Sequence, residues 1–137
     1  MRVQLTLVAG AILVAGSACD AFHQAMAQPG PARWGLAPDT EIDPDTTEFV
    51  AMVTEAACAS GQSSEGRVVG PDVSYTEDAV TITFAVRPLS GAQECPGNPA
   101  TRVAVRLDEP LGARVLLDGG SDPPLEPPVC ANPEFCE

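Results

Sequence analysis

Apolar side chains recur at every second position along several stretches between residues 72 and 117. The clearest stretch is residues 80–86, where the apolar positions are Val80, Ile82, Phe84 and Val86. Shorter runs that we also interpret as strands occupy residues 72–76, 102–107 and 114–117. Alternation with period two is typical of strands that bury one face, so the sequence predicts four β-strands. A tight hairpin turn is expected at residues 77–78, between the first two runs.

Residues 47–59 fit two kinds of secondary structure. The apolar residues from Phe49 to Ala57 match one face of a helix, and residues 45–48 can form a capping box at its start. With period two, the same residues form a strand. Composition slightly favours the helix, whereas a strand at the edge of a sheet would bring Cys58 within bonding distance of Cys95. The pattern by itself leaves both structures open.

The first residues have the three-part layout of a secretory signal. Arg2 supplies a positive charge, residues 5–18 are uncharged and mostly apolar, and small residues precede Cys19. This apolar run is shorter than the about 20 residues that a membrane-spanning helix needs. We therefore interpret residues 1–18 as a signal peptide and expect the chain to be exported.

Two processing routes are open for this leader. Residues 16–19 resemble a bacterial lipobox, with Gly16 at the position where Leu is usual, and Cys19 would then be diacylated and become the new N-terminus. The alternative is the A-x-A pattern at residues 25–27, which would remove residues 1–27 and release a chain that begins at Gln28. We expect the lipid route, because Cys19 directly follows the apolar run. The protein would then contact the membrane only through the lipid on Cys19.

The number of cysteines also indicates export. Once Cys19 is lipidated or removed, four of the five cysteines remain, and an even number is typical of disulfide-bonded proteins in an oxidising compartment. Four cysteines allow three pairings, among which the sequence does not choose. Our working hypothesis pairs Cys58 with Cys95 and Cys130 with Cys136. On the chain-entropy model these bonds are worth roughly 4 and roughly 2 kcal/mol. The zinc alternative is weak, since neither a C-x-x-C motif nor a pair of histidines is present.

The expected foldable part is residues 48–120. Residues 19–47 contain several prolines and an acidic run and have little apolar surface to bury, so we expect a flexible, disordered tether. Residues 121–137 hold five of the fourteen prolines, so this tail is expected to be extended or loosely ordered apart from the Cys130–Cys136 bond. A core this small is marginally stable without covalent cross-links. The predicted fold is a small, disulfide-stabilised, antiparallel all-β domain of the β-sandwich type.

Charge and composition exclude several functions. The chain has 7 basic residues, all Arg, and 19 acidic residues, so its formal net charge is −12. Such a charge repels phosphate backbones, which excludes nucleic acid as a partner. The single histidine, His23, lies in the leader or tether, and there is no lysine. The predicted domain therefore lacks the groups for Ser-His-Asp, Cys-His and Lys Schiff-base catalysis.

Carboxylates are the remaining candidates for catalysis or metal binding. Asp108-Glu109 and Glu77-Asp78 are adjacent pairs, but neighbouring acids on a strand point to opposite faces or belong to turns. The alternating acids of residues 39–45 resemble the start of an EF-hand loop, yet Pro44 stands where that loop needs Gly. Residues 118–122 are interpreted as a turn. We therefore predict no catalytic residue, no metal site and no cofactor.

Two further features are candidate binding groups. Arg87, Arg102 and Arg106 either form salt bridges on the strand faces or lie together on one exposed face and bind an anionic partner. Trp34 is the only tryptophan and precedes the predicted domain. We expect it to touch the domain or the membrane interface rather than to stack on a ligand.

Five short motifs occur together in the predicted domain. They are EAACASG at residues 55–61, GR at 66–67, CPGNP at 95–99, LDEPLG at 107–112 and LDGG at 117–120. This combination covers about half the chain and resembles a group of small secreted or lipid-anchored proteins of actinobacteria. The resemblance implies an all-β extracellular domain, a Cys58–Cys95 disulfide and a strand at residues 48–59. It carries over no catalytic residues.

The function expected from these observations is that of an exported, lipid-anchored protein of the cell envelope whose β domain binds a protein or glycan partner without enzymatic activity. One alternative is a freely secreted structural component of the envelope. Another is a hydrolase that uses two carboxylates. A binding module predicts an apolar or Arg-bearing surface patch, a structural component predicts none, and a hydrolase predicts two acids about 5–10 Å apart in a cleft.

Overall fold

The computed structural model describes residues 28–132 and 134–136. Residues 1–27 lie outside the described part, and they include His23. The signal peptide, the lipid on Cys19 and the A-x-A cleavage site therefore stay predictions. The described part contains six β-strands and no helix. The all-β fold class is therefore confirmed.

The six strands form one curled sheet. They are β1 (Gly30–Leu36), β2 (Glu48–Glu55), β3 (Val68–Tyr75), β4 (Ala79–Val86), β5 (Thr101–Arg106) and β6 (Val115–Asp118). The strand order is β3-β4-β1-β2-β5 with antiparallel neighbours, and β6 pairs in parallel with β4. β1 pairs with β4 only at residues 30–31 and with β2 along residues 32–36. It therefore joins a β3-β4-β6 half to a β2-β5 half.

All four strands predicted from alternation are present. They correspond to β3, β4, β5 and β6, with ends that differ by one or a few residues. The turn at residues 77–78 is also confirmed, since the Thr76 amide donates to the Ala79 carbonyl at 2.9 Å. Residues 48–55 form β2, so the strand implied by the resemblance for residues 48–59 is correct up to Glu55, whereas residues 56–59 are irregular and the helix is not present. Antiparallel pairing with β1 on one side and β5 on the other fixes this strand.

The prediction of a flexible tether at residues 19–47 is wrong for its described part, because β1 lies in the middle of the sheet. Trp34 of β1 is 2% exposed, and its Nε1 donates a hydrogen bond to the Ile82 carbonyl at 2.9 Å. Its ring stacks on Phe49, with centroids 5.8 Å apart, and meets Phe84 edge-on. The expected contact of Trp34 with the domain is thus confirmed. The domain begins near residue 30 rather than at residue 48.

There is a physical reason why the local sequence pattern does not predict β1. Gly30, Pro31 and Gly35 occupy three of its seven positions, and such residues are depleted in strands. Ala32, Trp34 and Leu36 of β1 lie in the main core, but they have too few apolar neighbours in sequence to show a strand pattern, and pairing with β2 and β4 places them there. The tertiary structure therefore overrides the local preference of this segment.

The two predicted disulfides, Cys58–Cys95 and Cys130–Cys136, are both present. The first joins the loop after β2 to the loop before β5, across 37 positions of the chain. The second closes a short loop in the C-terminal tail. The working hypothesis for the pairing is confirmed.

The described part of the proline-rich tail forms no strand but is bound to the domain. The Leu36 amide donates to the Pro128 carbonyl at 2.8 Å, and the Cys130 amide donates back to the Leu36 carbonyl at 2.9 Å. The domain boundary at residue 120 is therefore too early. Residues 125–130 form part of the domain's outer layer.

This layer covers the outer face of β1 and β2. Cys130 is buried against Ala37 and the fully buried Met52 in a cluster separate from the main core. A Cβ atom added to Gly35 would lie within 3 Å of the Pro128 carbonyl oxygen and the Cys130 Sγ atom. The tail can therefore approach β1 closely only because residue 35 has no side chain.

Candidate functional site

An open groove lies beside β6. Its walls are the loop at residues 42–44, the segment 111–116 that leads into and begins β6, Leu36 at the end of β1, and residues 126–127 of the tail. Its volume is about 350 Å³. A groove of this size falls at the lower end of the range that is typical of ligand sites.

Backbone hydrogen bonds hold two walls of the groove together. The Leu111 amide donates to the Thr46 carbonyl at 2.9 Å, and the Gly112 amide donates to the Pro44 carbonyl at 2.8 Å. The Asp43 carboxylate in turn accepts hydrogen bonds from the Asp45 amide and the Thr46 hydroxyl. The acidic segment, which the sequence pattern predicts to belong to a tether, is thus an ordered wall of the groove.

The β6 strand pairs with β4 through one of its two backbone edges. The Val115 amide donates to the Asp78 carbonyl and the Gly119 amide to the Ile82 carbonyl, both at 2.9 Å. Odd-numbered residues of β6 therefore direct their amide and carbonyl groups towards β4. Because successive residues of a strand alternate, even-numbered residues direct theirs to the opposite side.

On that opposite side the tail pairs with Asp118 but not with Leu116. The Asp118 amide donates to the Leu125 carbonyl at 2.7 Å, and the Leu125 amide donates back at 3.3 Å. In this antiparallel register the residue opposite Leu116 would be Pro127, which has no amide hydrogen to donate. In the part of the chain that the structure describes, neither the amide nor the carbonyl of Leu116 has a hydrogen-bond partner. The edge of β6 is therefore open where it lines the groove.

The groove has slightly more apolar than polar surface. Its large apolar side chains are Leu36, Ile42, Leu111, Val115 and Leu116. Val115 is 47% exposed, whereas Leu36, Leu111 and Leu116 are buried members of the main core. The groove is thus a place where the core reaches the surface. Aromatic residues are missing from this lining.

The charged residues of the groove are Asp43, Glu126 and Arg114. Arg114 forms an ion pair with Glu109, donates to two backbone carbonyls, and lies over the Tyr75 ring at 5.3 Å from its centroid. Its charge is therefore balanced by Glu109. Asp43 and Glu126 form no ion pair with any described residue. The net charge at the groove is negative.

Two buried carboxylates lie elsewhere, and each has an Arg partner. Arg67 donates two parallel hydrogen bonds to the Glu55 carboxylate, at 3.0 and 2.7 Å. Arg33 donates to the Asp118 carboxylate at 2.8 Å, and the same carboxylate accepts a hydrogen bond from the Gly120 amide. The interpretation of residues 118–122 as a turn is thus correct. Both carboxylates have structural partners.

The two adjacent acid pairs considered for catalysis are exposed. Glu77 and Asp78 form the turn between β3 and β4, and Asp108 and Glu109 follow β5. Neither pair lines the groove beside β6 or the cavity beside the Cys58–Cys95 disulfide. Glu109 also serves as the partner of Arg114.

The three arginines considered as an anion-binding face divide between strands. Arg102 and Arg106 lie on the same face of β5, and Arg106 pairs with the exposed Glu48 at 3.1 Å. Arg87 follows β4, which belongs to the other half of the sheet. No hydrogen bond or ion pair described here connects Arg87 to the other two side chains.

A second cavity of about 290 Å³ adjoins the Cys58–Cys95 disulfide. The side-chain amide of Asn98 donates to the carbonyl of Glu55, the last residue of β2, at 3.2 Å and to the carbonyl of Ala57, in the loop after β2, at 2.7 Å. Its Oδ1 atom and the Thr54 hydroxyl are buried and have no hydrogen-bond partner among the described groups. Asn98 therefore stabilises the contact between the two segments that the disulfide joins.

Residues 28–132 and 134–136 contain no group of three or more His, Cys, Asp and Glu side chains that could hold a metal ion. No helix in this part of the chain is long and apolar enough to cross a membrane. No protein-family model, curated protein or solved structure matches the chain. The resemblance to the actinobacterial group stays a prediction.

The sequence reasoning missed the groove. Two of its walls were assigned to a tether and a tail, and the open edge depends on how the tail pairs with β6. One signal was present: Pro127-Pro128 follows Leu125 closely, and prolines end a backbone ladder. Without the strand partners, that signal does not identify the edge that stays open.

Proposed function

We propose that the chain is an exported protein of the cell envelope, anchored by a lipid on Cys19. Two disulfides support export, because disulfides persist in oxidising compartments. Intact-mass analysis of the protein from its native host tests this proposal. We expect a mass that corresponds to a diacylated Cys19 at the N-terminus. A mass for a chain that begins at Gln28 would indicate free secretion, and a retained leader would contradict export.

We further propose that the domain binds a protein partner and has no enzymatic activity. Residues 28–137 contain neither His nor Lys. The buried carboxylates of Glu55 and Asp118 are held by Arg67 and Arg33. These contacts support a structural role for the only ionisable side chains that the described core buries.

The observation that carries the binding proposal is the backbone edge of Leu116, which is unpaired in the described part of the chain and lines the groove. A strand edge that is unpaired within its own chain can pair with the backbone of an extended ligand. A protein partner is favoured over a glycan, because sugar rings commonly stack on aromatic side chains and this groove has none. Trp34 is buried in the core.

A peptide selection with a matched pair of variants tests this function. Random peptides displayed on phage are selected on the full chain, and their binding is measured again with Val115→Arg and Leu125→Arg. Both replaced residues are about half exposed, but only Val115 lines the groove. We expect selected peptides to lose at least tenfold in affinity with Val115→Arg and to bind Leu125→Arg normally.

Two results would contradict the proposed function. One is that selection yields no specific peptide. The other is that every selected peptide binds Val115→Arg as well as it binds the unchanged chain. Either result favours the alternative of a structural envelope component that has no groove ligand.

A further inference from the structure

We propose that the groove binds an extended protein segment with alternating apolar and basic residues, which adds as a strand to the open edge of β6. This inference rests on the proposed binding function and specifies the chemistry of the partner. Strand addition supplies backbone hydrogen bonds from an extended ligand to an exposed sheet edge, and side chains then decide specificity.

The backbone geometry supports strand addition. Leu116 presents its amide and carbonyl on the side away from β4, and Pro127 of the tail has no amide hydrogen to donate to that carbonyl. A ligand residue beside Leu116 could accept from its amide and donate to its carbonyl. These two hydrogen bonds would give partners to an amide and a carbonyl that have none in the described part of the chain.

The side chains around this edge favour a ligand with an apolar residue at every second position. Leu36, Ile42 and Leu111 provide apolar surface within the groove. Since side chains of a strand alternate between two faces, every second ligand residue would meet this surface, and the residues between would point outwards. Apolar ligand residues therefore fit the inward positions.

Charge complementarity supports basic residues at the outward positions. Asp43 and Glu126 belong to the groove walls and have no ion-pair partner among the described residues, whereas Arg114 is balanced by Glu109. The whole chain carries a net charge of −12. A basic segment would therefore be attracted at long range as well as in the groove, and its binding would weaken with added salt.

A direct test uses the blocked peptide Ac-Arg-Val-Arg-Val-Arg-Val-Arg-NH2 and its analogue with Glu in place of every Arg. Amide hydrogen exchange is followed by NMR on the full chain at low salt. We expect the basic peptide at saturation to slow exchange of the Leu116 amide at least tenfold. The Val115 amide is an internal control, because it is already bonded to Asp78 and should change little. The Glu analogue should bind at least tenfold more weakly.

Two N-methylated peptides test the role of the ligand backbone. One carries N-methyl groups on every Val and the other on every Arg. Residues with their amide directed towards β6 alternate with residues whose amide points away, so only one of the two peptides should lose affinity. Equal affinity of both peptides would contradict strand addition.

The charged walls are tested by Glu126→Gln and Asp43→Asn. The second variant keeps an oxygen acceptor for the turn. Each variant is expected to lower the affinity for the basic peptide about two- to threefold. Glu77→Gln is the control and should have no effect, because Glu77 is exposed in the β3–β4 turn, away from the groove. The inference would be overturned if the Arg and Glu peptides bind with equal affinity, or if the exchange rate of the Leu116 amide does not change when the basic peptide is at saturation. If groove-specific peptides from the selection show either behaviour, the binding function stands and this strand chemistry does not.

Discussion

The replacement Arg67→Met is expected to destabilise the domain strongly, because it removes the partner of a buried carboxylate. The Glu55 side chain is 2% exposed and Arg67 is 15% exposed, and the two groups share a pair of hydrogen bonds. Arg67 also donates to the Arg87 carbonyl at 2.7 Å. The pair therefore connects the end of β2 to the loop before β3 and to the residue that follows β4.

The expected magnitude follows from the burial of this pair. Removing one partner of a buried ion pair costs about 3–5 kcal/mol, because the other charge is left without compensation. Domains of this size have a free energy of unfolding of about 5–15 kcal/mol, so the loss is a large fraction of the total. It corresponds to a decrease in Tm on the order of 12–20 °C.

The double variant Glu55→Leu/Arg67→Met separates the charge effect from the packing effect. Replacing both members of a buried ion pair by apolar residues is often neutral, because no charge is left buried. We therefore expect the double variant to be at least about 2 kcal/mol more stable than Arg67→Met alone. Arg106→Met is the control, since it breaks a pair with Glu48 in which both side chains are exposed, and it should cost less than about 1 kcal/mol.

Equilibrium unfolding in urea provides the assay. Trp34 is the only tryptophan and is buried against Phe49 and Phe84, so its fluorescence reports loss of the core. If Arg67→Met costs no more than Arg106→Met, the Glu55 carboxylate is not buried in solution as described. If the double variant is less stable than Arg67→Met, uncompensated charge is not the source of the loss.

Three other replacements test the fold. Replacing both Cys58 and Cys95 by Ser should lower the free energy of unfolding by roughly 4 kcal/mol in urea titrations, and a change below 1 kcal/mol would show that this bond does not brace the sheet. Gly35→Val should lower the free energy of unfolding by about 1–3 kcal/mol and speed proteolysis of the tail. Gly30→Val is the control, because an added Cβ there meets no atom within 4 Å, and it should do neither. Equal effects of the two variants would contradict close docking of the tail. Trp34→Phe should cost about 2 kcal/mol by thermal circular dichroism, because it loses a hydrogen bond to a backbone carbonyl and leaves a cavity, and an unchanged Tm would contradict its burial.

Local pattern predicted the strands that bury one face with their own apolar side chains. The alternation from Val80 to Val86 is the clearest example, and β4 shows the expected alternation of buried and half-buried positions. Cysteine parity predicted two disulfides. These features depend on neighbouring residues or on simple counting, so they can be recognised without knowledge of the tertiary structure.

The sequence by itself determined the all-β class, four of the strands, the hairpin turn and the cysteines available for pairing. Only the tertiary structure decided that Gly30–Leu36 is a central strand, because a segment rich in Gly and Pro is buried here by its neighbours. It also decided that the tail docks on Gly35 and that the β6 edge stays open at Leu116. The physical reason is that backbone pairing and close packing depend on which segments meet, and residues distant in sequence carry no local signal of that meeting.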